Sequence, residues 1–205
     1  MEPFRDVHGT ALPLMIPDID TDQMINRDFL ITRSRKGLGR GLFHDLRFRD
    51  GVPVADFVMN LPWFADPVVL LGGPNFACGS SREHAVWAVQ DYGIRAVIAP
   101  SFGVHFRRNA LKNGLLPVEL PEEAVAAMAR AVEDSRGARK VAVALAPQTV
   151  TLDGAAPLHF EIDDEAKTTL AEGLDDIGRT LRRTGRIEAW QNGDRAARPW
   201  VYLDR

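Results

Sequence analysis

Only one cysteine, Cys78, occurs among the 205 residues. No internal disulfide can form, and an iron–sulfur cluster, which needs several thiolates, cannot be held by this chain alone. Clustered basic charge is equally scarce: 25 Lys and Arg are set against 28 Asp and Glu for a net charge of −3. Without a basic stripe, nucleic acid and anionic membrane are disfavoured as main partners, which leaves a protein or a small molecule. No apolar run approaches the roughly eighteen residues of a membrane span. The opening Met1-Glu2-Pro3-Phe4-Arg5-Asp6 shows no signal-peptide pattern, so a cytoplasmic location is expected. His8, His44, His84, His105 and His159 are scattered, with no pair at i, i+4 and no Cys-x-x-Cys, and no metal site of the chain's own is expected.

The remaining composition, 45% hydrophobic and 26% charged, is that of an ordinary globular protein. The length suits one domain over residues 1–205 with a helical C-terminal extension from about 163. In the middle of the chain, Pro67 to Leu71 reads as a strand closed by Gly72-Gly73-Pro74. Ser80 and Glu83 have the spacing of a helix capping box. Ala85, Ala88, Val89 and Tyr92 then recur at helical intervals until Gly93. A strand at Ala96 to Ala99, a helix near Val104 to Asn113, a strand at Leu115 to Val118 and a helix from Pro121 to about Asp134 follow, then strands at Val141 to Leu145 and Thr149 to Leu152. This alternation predicts a layered α/β fold. The last fifty or so residues read as short helices punctuated by Gly173, Gly178 and Gly185, with an apolar tail, Pro199-Trp200-Val201-Tyr202, expected to dock.

Three segments carry candidate chemistry. Gly79-Ser80-Ser81-Arg82-Glu83-His84 lies between a strand end and a helix start, where backbone N–H groups and the helix dipole favour an anion. Capping by Ser80 and Glu83 and a surface ion pair for Arg82 is the plainer reading of the same residues. Cys78-Gly79-Ser80-Ser81-Arg82 lacks the glycines of a hydrolase nucleophile elbow. Asp20-Thr21-Asp22 is a dense acidic turn that Asx chemistry alone explains. The run from Thr32 to Gly41, which contains Arg35, is a basic, glycine-punctuated loop, either a lid or a solvated surface segment.

In order along the chain, Asp20-Thr21-Asp22, Gly37-Leu38-Gly39, Asn75 to Ala85, Ile98-Ala99-Pro100-Ser101-Phe102 and Asn113 to Pro117 resemble the small subunits of 3-isopropylmalate dehydratases, in the aconitase superfamily. The resemblance implies a swivelling β/β/α domain and a separate large subunit that carries a [4Fe-4S] cluster. It also implies isomerisation of 2-isopropylmalate by loss and re-addition of water, in leucine biosynthesis. By the same resemblance Ser80 is the base and Asp22 supports proton transfer. Arg82 clamps a substrate carboxylate, with Ser81 beside it and Arg35 facing the substrate. Asn26, Leu46 and Val104-His105 depart from the family's usual residues. They leave open a relative acting on another 2-hydroxy dicarboxylate, such as methylmalate, dimethylmalate or homocitrate. A non-enzymatic anion- or RNA-binding module is the rival class.

Overall fold

The computed structural model describes residues 1–31 and 34–202, so Thr32 and Arg33 of the basic loop lie outside the described residues. The chain opens with strands β1 (Val7–Gly9) and β2 (Ala11–Leu14), then the short helices α1 (Thr21–Met24) and α2 (His44–Arg47) and the two-residue strands β3 (Phe48–Arg49) and β4 (Val52–Pro53). The alternating middle runs β5 (Val69–Gly72), α3 (Glu83–Asp91), β6 (Ala96–Ala99), α4 (Val104–Asn113), β7 (Leu116–Glu119) and α5 (Glu122–Asp134). Strands β8 (Val141–Ala144), β9 (Thr149–Leu152) and β10 (Leu158–His159) lead to helices α6 (Asp164–Glu172), α7 (Asp176–Leu181) and α8 (Thr184–Ala197).

Two four-stranded sheets result. One, in the order β2-β5-β6-β7, is parallel throughout. Leu12, Leu70, Val97 and their strand neighbours are fully buried, as a parallel sheet covered on both faces requires. The other, β1-β8-β9-β10, is antiparallel. There the alternation of buried Val141 and Val143 with half-buried Ala142 and Ala144 matches a sheet with one covered face. The prolines of the parallel sheet, Pro13 and Pro117, occupy its two edge strands, where a missing N–H breaks no ladder.

Helix α5 lies over β2, β5 and β6, and α3 packs against α4. One apolar core extends from Phe4 through both sheets to Leu170 of α6. Phe4 N donates to Leu170 O at 2.8 Å, and Gly173 ends α6 in the left-handed conformation at φ 67°.

The mixed α/β architecture agrees with the alternation in the sequence, with two corrections near the C-terminus. Gly178 and Gly185 lie inside α7 and α8 rather than between helices. Asp175 caps α7 by accepting from Gly178 N at 2.6 Å, so cap chemistry overrides glycine's low helix propensity. The tail does not dock through Trp200, which is 73% exposed, but through Tyr202, whose ring lies under the Arg195 guanidinium at 4.9 Å. Tyr202 Oη also donates to Asp194 Oδ2 at 2.7 Å, which lowers the Asp194 pKa and raises that of Tyr202.

Candidate active site

Loops leaving the carboxyl ends of β2, β5 and β6 form the candidate site, the end of an open parallel sheet where ligands generally bind. Beyond the strands, the loop after β5 is zipped to its neighbours on both sides. On one side Cys78 N donates to Ile19 O at 3.1 Å and Thr21 N to Cys78 O at 3.0 Å. On the other, Phe76 N donates to Ser101 O and Gly103 N to Phe76 O, both at 2.9 Å. Asn75 ties all three loops, its Nδ2 donating to Asp18 Oδ1 and its backbone N to Ser101 Oγ, each at 2.8 Å.

This zipping holds backbone that would otherwise relax. Ala77 sits at φ 56° and Gly79 at φ 93°; the left-handed region costs a residue with a Cβ about 1–2 kcal/mol, which glycine avoids. Close approach is equally demanding at Gly103, where a Cβ would lie 2.4 Å from Ala77 O and 2.9 Å from Cys78 Cα. Gly103→Ala is therefore expected to destabilise the fold by about 1–3 kcal/mol through overpacking. At about 2–4 °C per kcal/mol for a chain of this size, thermal unfolding would register it clearly. An unchanged melting temperature would mean that the loops are slack.

The segment that carries the candidate residues does not form the expected capping box. Helix α3 begins at Glu83 with Arg82 as N-cap, and no side chain caps it. Ser80 is turned instead toward α1. Its backbone N donates to Thr21 Oγ1 at 3.2 Å and its Oγ lies 3.1 Å from the same atom. Pairing with Thr21 wins because the extended residues before α3 keep the Ser80 hydroxyl out of reach of the helix N–H groups. A capping box is found elsewhere, at α1, where Asp20 accepts from Asp22 N and Gln23 N at 2.8 Å and Gln23 Oε1 accepts from Asp20 N at 2.9 Å. The acidic turn read in the sequence is thus a helix cap.

Four of the five candidate residues come together. Arg82 Nη1 pairs with Asp22 Oδ1, which brings the arginine after Ser80-Ser81 onto the first turn of α1. Ser81 is exposed, and its carbonyl accepts from Asn109 Nδ2 of α4 at 2.9 Å. Arg35 stands apart. Its guanidinium lies over the Trp87 ring at 4.9 Å, beside α3.

A cleft of about 440 Å³ is walled by Arg35, Glu83 and Lys112, with Asp163 and Arg179 of the C-terminal helices, and none of Ser80, Ser81, Arg82 or Asp22 lines it. Those four residues form an open shelf rather than a closed pocket. Among the described residues no group of three or more His, Cys, Asp or Glu could hold a metal ion. Cys78, the single cysteine, donates its thiol hydrogen to Asp18 O at 3.3 Å.

Chemically the shelf offers a half-buried hydroxyl held from two sides, a guanidinium with its counter-ion, and the N-terminal end of a nine-residue helix. Such a surface suits a carboxylate placed next to a proton acceptor. Thr21 and Asn109 were not singled out by spacing. Thr21 stands inside the acidic turn, and its burial would have marked it; Asn109 gives no sequence signal.

The model of the Aconitase C-terminal domain family matches residues 1–123. A protein of Paramagnetospirillum magneticum named 3-isopropylmalate dehydratase small subunit is 45% identical over 204 residues, covering 98% of this chain and all of that one. A namesake from Dinoroseobacter shibae is 46% identical with the same coverage. Among solved structures, a crystal structure titled as 3-isopropylmalate dehydratase from Methanocaldococcus jannaschii superposes with a TM-score of 0.64 at 24% identity, covering 91% of this chain and 99% of that one. That likeness bears on the fold, and it agrees with the β/β/α expectation.

Proposed function

We propose, from the premise that this chain belongs to the aconitase C-terminal domain family and to its 3-isopropylmalate dehydratase small subunits, that it is one half of a hydro-lyase. A large subunit completes the active site. The observation that carries this reading is the open shelf: half-buried Ser80, its Oγ held by Thr21, next to the Arg82–Asp22 pair and apart from the 440 Å³ cleft. The reaction is the isomerisation of 2-isopropylmalate to 3-isopropylmalate by dehydration and rehydration in leucine biosynthesis, in the cytoplasm. The chain acts as one swivelling domain over residues 1–205, with a helical extension from about 163.

This chain's residues do not fit a [4Fe-4S] cluster, since one thiol already bonded to a carbonyl is the only cysteine. The cluster, and with it the Lewis acid for the departing hydroxyl, is assigned to the large subunit. On this side, Ser80 Oγ as an alkoxide takes the proton from the carbon beside a carboxylate, and the C–H electron pair becomes the new double bond. The same hydroxyl returns the proton when water adds back. Arg82 clamps a substrate carboxylate through its fork, Ser81 provides a further donor, and the positive end of the α3 dipole favours that anion. Asp22 supports proton transfer at one remove by fixing the guanidinium beside Ser80. Arg35, stacked on Trp87, contributes to substrate binding from the neighbouring cleft.

The test is reconstitution. Purified chain mixed with a cluster-loaded large subunit is expected to hydrate isopropylmaleate, followed by its ultraviolet absorbance, and neither component alone should do so. Turnover by this chain alone would overturn the reading.

A further inference from the structure

Among the described residues, Thr21 and Asn113 are the buried residues with polar side chains. Asn113 is accounted for by structure: its Oδ1 accepts from Trp87 Nε1 at 3.0 Å and its Nδ2 donates to Asn109 O at 2.9 Å. Thr21, 1% exposed, directs its hydroxyl at Ser80 through two contacts. We propose that Thr21 is a positioning residue for Ser80 whose hydroxyl donates to Ser80 Oγ and makes its deprotonated form accessible. The inference rests on the reading of Ser80 as the base.

A hydroxyl has one hydrogen and two acceptor positions. At Thr21 one acceptor position is taken by Ser80 N–H at 3.2 Å, and the Ser80 Oγ lies 3.1 Å away. While Ser80 is neutral, either oxygen can donate to the other. Once Ser80 has lost its proton, only Thr21 can donate, and the bond becomes charge-assisted. The charged form thus gains more than the neutral form does, which is how a hydrogen bond lowers the pKa of an acid. Donation from Ser80 N–H into the same oxygen polarises the Thr21 hydroxyl and strengthens it as a donor. Thr21 keeps its own proton throughout.

Its placement is fixed on several sides. The backbone N of Thr21 donates to Cys78 O at 3.0 Å, and its carbonyl accepts from Ile25 N at 3.1 Å. Branching at Cβ restricts the side-chain torsion, so the donor is set before the reaction begins.

The test uses the complex with the large subunit. Thr21→Val removes the hydroxyl at nearly constant shape, and kcat is expected to fall about 10²-fold, the loss typical of one oxyanion donor. KM should stay near the unsubstituted value. The acid limb of the kcat–pH profile should move to higher pH by about one unit or more. With substrate deuterated at the carbon that loses its proton, the isotope effect should rise. Thr21→Ser should restore the limb and most of the rate.

An unmoved limb in Thr21→Val, or a displaced limb in Thr21→Ser, overturns the proposal, because loss of packing alone would lower activity without shifting the profile. If Thr21→Val does not assemble, Thr21→Ala removes the same hydroxyl and is held to the same outcomes. Ser80→Ala separates the two levels. Turnover surviving in Ser80→Ala would remove the base reading and this inference with it, whereas an inactive Ser80→Ala beside an unmoved Thr21→Val limb would remove this inference alone.

Discussion

Ser80→Ala in the assembled enzyme is expected to lower kcat by about 10⁴-fold, the upper end of what a positioned base contributes, while substrate binding stays close to normal. The substitution removes one oxygen and leaves Arg82, Asp22 and the start of α3 in place. A serine that capped the helix would also cost about 1 kcal/mol of stability on removal. Ser80 does not cap α3, but its Oγ lies 3.1 Å from the buried Thr21 hydroxyl, so a fall of about 1 kcal/mol is expected from that lost bond instead. Turnover, calorimetric binding of 2-isopropylmalate and thermal unfolding, measured on one preparation, separate these effects. A large loss of both binding and stability would show that Ser80 is architectural.

The second large effect is expected at Arg82. Arg82→Lys should raise the dissociation constant for substrate about 10²-fold with a smaller loss in kcat, because a point charge cannot replace a planar fork on a carboxylate. The side chain is half-buried and engages Asp22. Lysine retains the charge and so most of the pairing with Asp22, itself worth little at an exposed site. Direct binding is the proper readout, since KM equals the dissociation constant only when chemistry is slow. An equal fall in kcat and rise in dissociation constant would mean that Arg82 acts mainly in the transition state, and the division of roles with Ser80 would then need redrawing.

How much of this was legible without the structure differed along the chain. From Val69 to Leu152 the elements announce themselves, because each buried strand is a short apolar run and each helix repeats its apolar face until a glycine or an acidic cap. The first third gave no such signal. Ala11–Leu14 holds a proline and follows Gly9, so it carries no clear strand signal although it is a buried edge strand. The segments around α1 and α2 are single turns, too short to show a period.

At the site, residue types pointed to the right neighbourhood and misjudged the local bonding. Ser80 and Glu83 have the spacing of a cap, yet the Thr21 hydroxyl, 59 positions earlier in the chain, takes the Ser80 side chain. A contact across that separation depends on the register of β2 against β5, which spacing within a motif does not encode. The pairing of Arg82 with Asp22 was hidden for the same reason, although both residues had been singled out by resemblance. Arg35 was placed near substrate by resemblance, and its partner Trp87 emerged only with α3 folded.

The prolines at the two rims of the parallel sheet bear on the life of a subunit that is made apart from its partner. Thr10 O accepts from Val68 N, and Leu116 N donates to Arg95 O, so these residues face inward across the ladder and, by alternation, Pro13 and Pro117 face outward. Each outward position lacks the donor that a visiting strand would need. While the chain waits for its large subunit, its most apolar sheet is closed to recruitment by another copy along either rim.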